Sequence, residues 1–483
     1  MSWLSRLFSG ESELHSSSAI PFFTNTLSGK KEPFTPLTKG FVKMYSCGPT
    51  VYSKQHIGNL KAPLFADLVA RTLKEAGYRL SRVMNITDVG HLVGDGDHGE
   101  DKMAKGAREA QMTPEAVAKR YTDLFLADLA LLNIDMADVT VTKATDYIQE
   151  QIQMIEVLEA KGFAYKTDDG VYFDTKKFPQ YGKLGRANEA EILPGARIEK
   201  VPGKRNIHDF VLWRQAKKDD LQKWDSPWGV GNPGWHIECS AMIKAVLGTE
   251  IDIHTGGIDH IPTHHNNEIA QSEAANGKPL ARYWLHEAFV NINDEKVAKS
   301  TGNVVYLSDV VEKGFDPMAL RYFFLQAHYR RPLSFTWDAL AASAEGYDRL
   351  LRRAREIEKE SSAKAADSDK RIEFITFMRD DLSTPQALAL LWDTLKSEDY
   401  SPSQKWGLLT SAESLLGLPV GPSLSSPTEA AIPEDIQKLA YERDLARGAG
   451  NYAESDRIRD ILTTRGYRVE DSASGTLLTR NPR

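Results

Sequence analysis

Apolar, β-branched stretches alternate with amphipathic ones through the first third of the chain. "FVKMYSCGPTVY" (41–52) predicts a strand running into a Gly-Pro turn. "HIGNLKAPLFADLVARTLKEAG" (56–77) then repeats leucine at helical spacing, at Leu60, Leu64, Leu68 and Leu73, and stops at Gly77. "RLSRVMNIT" (79–87) follows as a second strand. Strand, helix and strand over so short a span form a βαβ unit, normally a right-handed parallel crossover. The same grammar returns in "EIDIHTGGID", "THHNNEIAQSEAAN" and "YWLHEAFVNI", between 250 and 292. Between the two regions lie helical sequence from about 110 to 162, then "VYFDTKKFPQYGKL" and the turn-rich "WDSPWGVGNPGWH". The pattern predicts an α/β fold in which two halves of one nucleotide-binding domain flank an insertion.

From about Ser343 the pattern turns helical, in "AEGYDRLLRRAREIEKE", "RIEFITFMRDDLSTPQALALLWDTLKSE" and "SQKWGLLTSAESLLG". "GLPVGPSLSSPTEAAIP" has the composition of a linker. The closing segment predicts two helices and a strand pair. The expected division is an N-terminal extension (1–20), a first Rossmann-like half (21–110), a connective insertion (111–230) and a second half (231–342). A helical bundle (343–416), a linker (417–433) and a small α+β module (434–483) complete it. No internal repeat is visible.

A chain of 483 residues can bury a large core in two to four domains, and 41% hydrophobic with 26% charged residues is globular composition. No run approaches the ~18 apolar residues of a membrane span. The opening "MSWLSRLFSGESELHSSSAI" is broken by Ser5, Arg6 and Ser9 and fails as a secretory signal. Two distant cysteines make no disulfide framework, so a reduced cytoplasmic protein is expected. A formal charge of −7 excludes a protein that coats nucleic acid indiscriminately, but not one with local basic patches.

The chemistry concentrates in a few stretches, each with a blander reading beside it. Asp252 to Ala274 crowds four of the 12 histidines together with two aspartates and two glutamates. His264 and Glu268 are four apart, so on a helix they share a face. Cys47 ends the first strand and Cys239 lies in "GWHIECSAM", near the opening of the second half. Ligands of doubly wound sheets collect outside the carboxyl ends of the strands, and zinc accepts two thiolates, an imidazole and a carboxylate. With no CxxC pair, two ordinary buried sulfurs beside a polar helix remain the alternative. In "PTVYSKQHIGN", His56 and Asn59 stand where the first helix begins, a positive end suited to phosphate, and Gly58 permits close approach of a nucleotide. The same two side chains would also serve as plain helix caps. "DEKVAKSTGN" offers Lys296 and Lys299 to a transferring phosphate, or is simply a solvated loop. "GDGDHG" (94–99) satisfies G-x-G-x-x-G, but its acids would repel pyrophosphate and it comes too far after the strand. It fails as a calcium loop too and is expected to be a polar loop.

Taken in order, "MYSCGPTVYSKQHIGN", "NITDV", "GWHIECSAM", "GGIDHIPTHHNNEIAQSEA" and "KVAKSTGN" resemble cysteinyl-tRNA synthetase, a class I aminoacyl-tRNA synthetase. The resemblance runs from about Pro21 to the C-terminus and includes "RDDLSTPQALALL" and "YAESDRIRDIL". It implies a class I Rossmann-like parallel-sheet catalytic domain with an insertion, an all-α bundle that binds tRNA, and a C-terminal α+β module that reads the anticodon. The family's zinc ligands fall on Cys47, Cys239, His264 and Glu268, one ion per chain. "HIGN" resembles the HIGH signature, with Asn59 as a variant found in the family, and "KVAKS" resembles KMSKS with both lysines kept. ATP would meet Pro49, His56, Gly58, Asn59 and Lys299, with His56, Asn59, Lys296 and Lys299 catalytic. Thr87, Trp235 and Asp259 would hold the amino acid. Asn266 departs from the family's HHENE without touching the presumed ligands.

The implied reaction joins L-cysteine to tRNA(Cys) by way of an adenylate, using ATP with Mg2+ and a zinc ion that grips the substrate thiolate. The expected state is a cytoplasmic monomer with no membrane partner. Arg349, Arg352 and Arg353 on one helix, and Arg330 and Arg331 in "HYRR", suit phosphate contact, or else form internal Glu–Arg pairs on a solvated surface. Three rivals remain open: a cysteine ligase acting on an amino sugar, a zinc hydrolase, and a catalytically idle tRNA-binding protein. The long helical C-terminal region argues against the first, and "HIGN" with "KVAKS" against the second.

Overall fold

The structure, a computed structural model, describes residues 20–90, 101–186, 203–218, 220–292, 295–296, 304–422, 434–448, 451–465, 467–472 and 475–480. The acidic loop 94–99 and the extension before Ile20 lie outside these residues. The chain divides into two compact units, Met1–Gly421 and Pro422–Arg483.

In the first unit, β1 (Phe22–Asn25) and β2 (Lys30–Pro33) form an antiparallel hairpin. Then come β3 (Phe41–Ser46), α1 (Ile57–Glu75) and β4 (Arg79–Ile86), the predicted crossover. α2 (Lys102–Ala110) and α3 (Pro114–Leu131) lead to β5 (Val139–Lys143), which pairs in parallel with β4. A strand of the main sheet thus lies inside a stretch read as helical. Its "VTVTK" is a short, half-buried edge strand whose β-branched alternation is overshadowed by the long helical patterns on either side. After α4 (Ile148–Ala160), β6 (Ala164–Thr167), β7 (Gly170–Phe173), β8 (Phe210–Gln215) and β9 (Gly231–Pro233) build a separate four-stranded antiparallel sheet.

The chain returns through α5 (Trp235–Val246), β10 (Ile251–Gly257), α6 (Asn266–Asn276) and β11 (Ala281–Glu287). The main sheet runs β11-β10-β3-β4-β5, with every neighbouring pair parallel. Strands of the second half therefore lie directly against the first strand of the first half. All of β10 and the last five residues of β4 are buried, as expected for a sheet covered on both faces. Tyr45, Val83, Met242, Ile251 and Trp284 are central to the packing on one face.

β12 (Val290–Ile292), β13 (Glu295–Lys296) and β14 (Leu333–Phe335) form a small sheet beside α7 (Leu307–Glu312) and α8 (Pro317–Leu325). α9 (Trp337–Ser361), α10 (Asp369–Arg379), α11 (Thr384–Lys396) and α12 (Pro402–Leu416) make a helical bundle, α12 packing also on α1. The second unit, taken by itself, holds α13 (Glu434–Gly448), α14 (Tyr452–Thr464) and the hairpin β15 (Tyr467–Ser472)–β16 (Gly475–Arg480). Its small core is Ile436, Ile458, Leu462, Tyr467 and Val469. Among the described residues, no helix is long and apolar enough to cross a membrane.

One buried ion pair ties the bundle to the catalytic-type sheet. Arg321 of α8 and Asp67 of α1 are fully buried, with Nη2 2.7 Å from Oδ2. The guanidinium also donates to Leu416 O (2.7 Å), Leu132 O (2.7 Å) and Asn133 O (3.0 Å), the C-terminal ends of α12 and α3. Asp67 accepts further from Arg71 Nε (2.8 Å) and the Asp135 amide (3.1 Å). A Cβ at Gly417, whose φ is +65°, would collide with the guanidinium, so the helix must end there without a side chain. Removing Arg321 would leave the buried Asp67 carboxylate to Arg71 and the Asp135 amide, and three carbonyls without this donor. Arg321→Leu should lower the stability of this unit by about 3–5 kcal/mol, read as a shift of the urea transition. Adding Asp67→Leu should restore part of the loss, and a single variant as stable as the wild-type chain would contradict the assignment.

Candidate metal centre and nucleotide site

The candidate site lies at the carboxyl ends of the parallel strands. Cys47 follows β3 directly, and its amide donates to Thr255 O of β10 (3.2 Å). Cys239 sits in α5 with 1% exposure. After β10 the chain makes a single π turn, Ile261–His265, before α6 begins. Such wide turns are often found at functional sites. Here the turn and α6 present His264 and Glu268 on one face, with His264 Nε2 2.9 Å from Glu268 Oε1.

The four predicted ligands converge. One donor atom each from Cys47, Cys239, His264 and Glu268 lies within 4.8 Å of every other. A second overlapping set, Cys47, His254, His265 and Glu268, meets the same limit. The two sets share Cys47 and Glu268, and only the first carries two sulfurs. The neighbouring Cys47 thiol and His264 hold the Cys239 thiol down to about 7 against its burial. Burial opposes ionisation of Glu268, yet His254 and His264 overcome it and hold the carboxyl down to about 2. Burial likewise opposes charge on His264, but Glu268 and Cys239 push it up to about 10. Burial and the facing Cys239 keep the Cys47 thiol well above its ordinary value. A thiolate, a carboxylate and the protons between them thus occupy the space a divalent cation would take, and metal binding would release those protons. The donor set fits zinc: two sulfurs, one imidazole and one carboxylate.

A layer of imidazoles surrounds these donors. His254 Nε2 is 2.9 Å from Glu268 Oε2, and its ring stacks on Trp284 at 4.6 Å. His265 Nε2 is 3.4 Å from Cys47 Sγ, while its Nδ1 is 2.8 Å from His286 Nε2. His286 Nδ1 ends the chain at Thr26 Oγ1 (2.7 Å). Burial drives His265 and His286 well below the ordinary histidine range, so both are neutral relays that orient the Cys47 sulfur. His236 Nδ1 faces His264 Nδ1 at 2.9 Å. Sequence reasoning singled out His264 among the clustered histidines as the candidate ligand and gave the other imidazoles no role. Asn266 uses its amide both ways: Oδ1 accepts from the Leu184 amide (3.1 Å) and Nδ2 donates to Ile261 O (2.7 Å). A carboxylate in its place could accept but not donate.

Trp235, Thr87, Asp259, His56 and Asn59 stand near the same end of the sheet. Trp235 opens α5 and lies 4.4 Å from the His264 ring. Thr87 follows β4; its hydroxyl is 3.4 Å from Glu238 Oε2, and its amide donates to Pro49 O (3.0 Å). Asp259 stands just past β10 over Gly257. His56 and Asn59 form a reciprocal cap at the start of α1: the Asn59 amide donates to His56 Nδ1 (3.3 Å) and the His56 amide to Asn59 Oδ1 (3.2 Å). The capping reading of that pair is therefore correct as local structure, and it leaves both side chains at a positive helix end. A Cβ at Gly58 would lie 3.0 Å from His56 Nδ1 and 3.9 Å from Val290, which fixes α1 against β12. The Lys296 backbone is in β13, paired opposite Asn291. Lys299 lies outside the described residues. Of the arginines, Arg353 is 2.9 Å from Glu356 and Arg349 3.8 Å from Glu345, internal pairs of the kind weighed above, while Arg352 is exposed.

The tRNA synthetases class I (C) catalytic domain family matches residues 33–345. A "Cysteine--tRNA ligase 1" of Burkholderia lata is 44% identical over 457 residues, covering 94% of this chain and 96% of the relative. A "Cysteine--tRNA ligase" of Treponema denticola is 42% identical, covering 94% and 98%. Among solved structures, a Mycobacterium tuberculosis methionyl-tRNA synthetase aligns with a TM-score of 0.55 at 16% identity, over 80% of this chain and 92% of that one. The Agrobacterium radiobacter LeuRS aligns at 0.58 and 11% identity, over 81% and 86%. These two likenesses show the shared fold. With its catalytic-domain match over residues 33–345 and its near full-length match to the curated ligases, the chain belongs to the cysteine–tRNA ligase family of class I aminoacyl-tRNA synthetases.

Proposed function

We propose that the chain charges tRNA with cysteine through a cysteinyl-adenylate made from ATP, and that zinc held by Cys47, Cys239, His264 and Glu268 selects the amino acid by its sulfur. The observation that carries this reading is the convergence of those four donors within 4.8 Å beside the α1 terminus. When bound, zinc supplies a soft Lewis acid that lowers a thiol's pKa and prefers a thiolate to a serine hydroxyl. Shape alone would discriminate by only about 1–3 kcal/mol for a methylene-sized difference.

The chain's own residues then position the reactants. Trp235 walls the amino-acid pocket, and Thr87 and Asp259 receive the ammonium group. This sets the substrate carboxylate for in-line attack on the α-phosphate, with pyrophosphate leaving. The α1 terminus, with His56, Gly58 and Asn59 and with Pro49 beside it, takes the triphosphate, which brings its own magnesium. Lys296 and Lys299 neutralise the departing pyrophosphate. A hydroxyl of the terminal tRNA ribose next attacks the activated carbonyl and displaces AMP. Positioning and electrostatics do this work, without a covalent enzyme intermediate. One chain carries every named residue, so a monomer suffices.

The purified protein should show cysteine-dependent ATP–pyrophosphate exchange and should also charge tRNA(Cys). Exchange without charging would indicate a ligase that hands the adenylate to a small amine, and neither activity would refute the reading. Cys239→Ser should lose bound zinc on elemental analysis and raise the KM for cysteine by about tenfold or more, leaving that for ATP nearly unchanged. Equal rises in both would remove the selector role. His56→Ala should lower kcat for exchange by about 10²-fold with little change in the KM for cysteine, and an effect confined to KM would assign His56 to ground-state binding.

A further inference from the structure

Glu287, the last residue of β11, is a buried acid that the proposed mechanism does not use. It is 6% exposed, and its Oε2 has no hydrogen-bond partner among the described residues. Its register partner is Gly257 at the end of β10. A Cβ on Gly257 would collide with Asp259 Oδ1 and lie 3.4 Å from Glu287 Oε1, so two carboxyl groups share the space above that glycine. Lys61 of α1, whose ammonium donates to Ala288 O (2.6 Å), stands on the other side. Burial pushes the Glu287 carboxyl up to about 8; Lys61 opposes the rise and Asp259 adds to it. At neutral pH the group is therefore largely a neutral acid, able both to donate and to accept. Burying an unpaired carboxyl costs stability, which makes an orphan of this kind at a strand end a mark of ligand contact.

Position decides which ligand. β11 is two strands from β3, so Glu287 lies roughly 10 Å along the sheet from the Cys47 end. The ammonium of a cysteine held by sulfur is only three bonds from that sulfur and goes to Asp259, which follows β10, one strand nearer than Glu287. The α1 terminus is nearer, since α1 lies against β11 and β12 and Lys61 donates to Ala288 O. A nucleotide whose phosphates meet that terminus carries its ribose over the adjoining strand ends. Acids at strand ends in Rossmann-like sites hold ribose hydroxyls.

We propose that Glu287 recognises the ribose of ATP: its carboxyl, with one oxygen unpaired and the other near Gly257, takes a hydroxyl of the cis-diol, with Asp259 beside it. This rests on the reading of the α1 terminus as the triphosphate site. The test is cysteine-dependent exchange with ATP, 2′-deoxy-ATP and 3′-deoxy-ATP. The wild-type enzyme should lose about tenfold or more in kcat/KM with at least one deoxy analogue. Glu287→Ala should raise the KM for ATP about tenfold, leave that for cysteine unchanged, and shrink the deoxy penalty to near unity. Glu287→Gln, which keeps one donor and one acceptor, should retain the penalty. A wild-type enzyme that uses both analogues as well as ATP overturns the proposal without any variant, even if Glu287→Ala fails to fold. So does an alanine variant that keeps the full penalty. If the wild-type protein shows no exchange at all, the function reading fails, and calorimetric binding of ATP against the two analogues still decides the role of Glu287.

Discussion

The site depends on the pairing of β3 with β10. Met44, Tyr45 and Ser46 lie opposite Ile253, His254 and Thr255, joining strands from either side of the insertion. That register brings Cys47 to the start of the histidine-rich segment, and the Cys47 amide is fixed to Thr255 O. A slip of one residue would turn every side chain of β10 to the opposite face, taking His254 away from Glu268. The helix α5 then needs only to pack on the sheet to deliver Cys239.

What could be read from the sequence was whatever a local spacing encodes. His264 and Glu268 are four apart, and α1 announces itself by leucines and by the His56–Asn59 pair. The donor set from distant segments was readable only because the sheet rule for ligand sites and the family resemblance agreed. β5 was missed although its Val-Thr alternation is a strand signal, because its five residues sit between the long helical patterns of α3 and α4. The π turn escaped because one extra residue in a helical turn leaves no mark in composition. Glu287 and Lys61 look like surface charges in the sequence, and only the packing of α1 on the β11–β12 junction buries them. For Arg353 the sequence allowed two readings, and a neighbouring glutamate one helical turn away supplies a partner.

The polar core at the strand ends is a store of unfavourable burial. Glu268, His254, His264 and His265 are all essentially excluded from water. Grouping acids with imidazoles lets each charge lean on another, while His265 and His286 stay neutral and hold direction rather than charge. Asn266 contributes in another way: its amide locks Leu184 of the insertion to the turn that bears His264. The insertion thereby buttresses the donor set mechanically. Functional sites commonly carry such local conflicts, compensated by a rigid surround.

The knot of hydrogen bonds around Arg321 sets where the polypeptide can be cut. Its acceptors include the last carbonyl of α12, nearly a hundred positions downstream, as well as the end of α3. A fragment ending before Leu416 would deprive the guanidinium of that carbonyl and uncover the flank of α1 on which α12 rests. The sheet and its helical neighbour must therefore be expressed as one piece. The natural seam for a shortened version falls after Gly421, beyond which the remaining residues gather around an interior of their own.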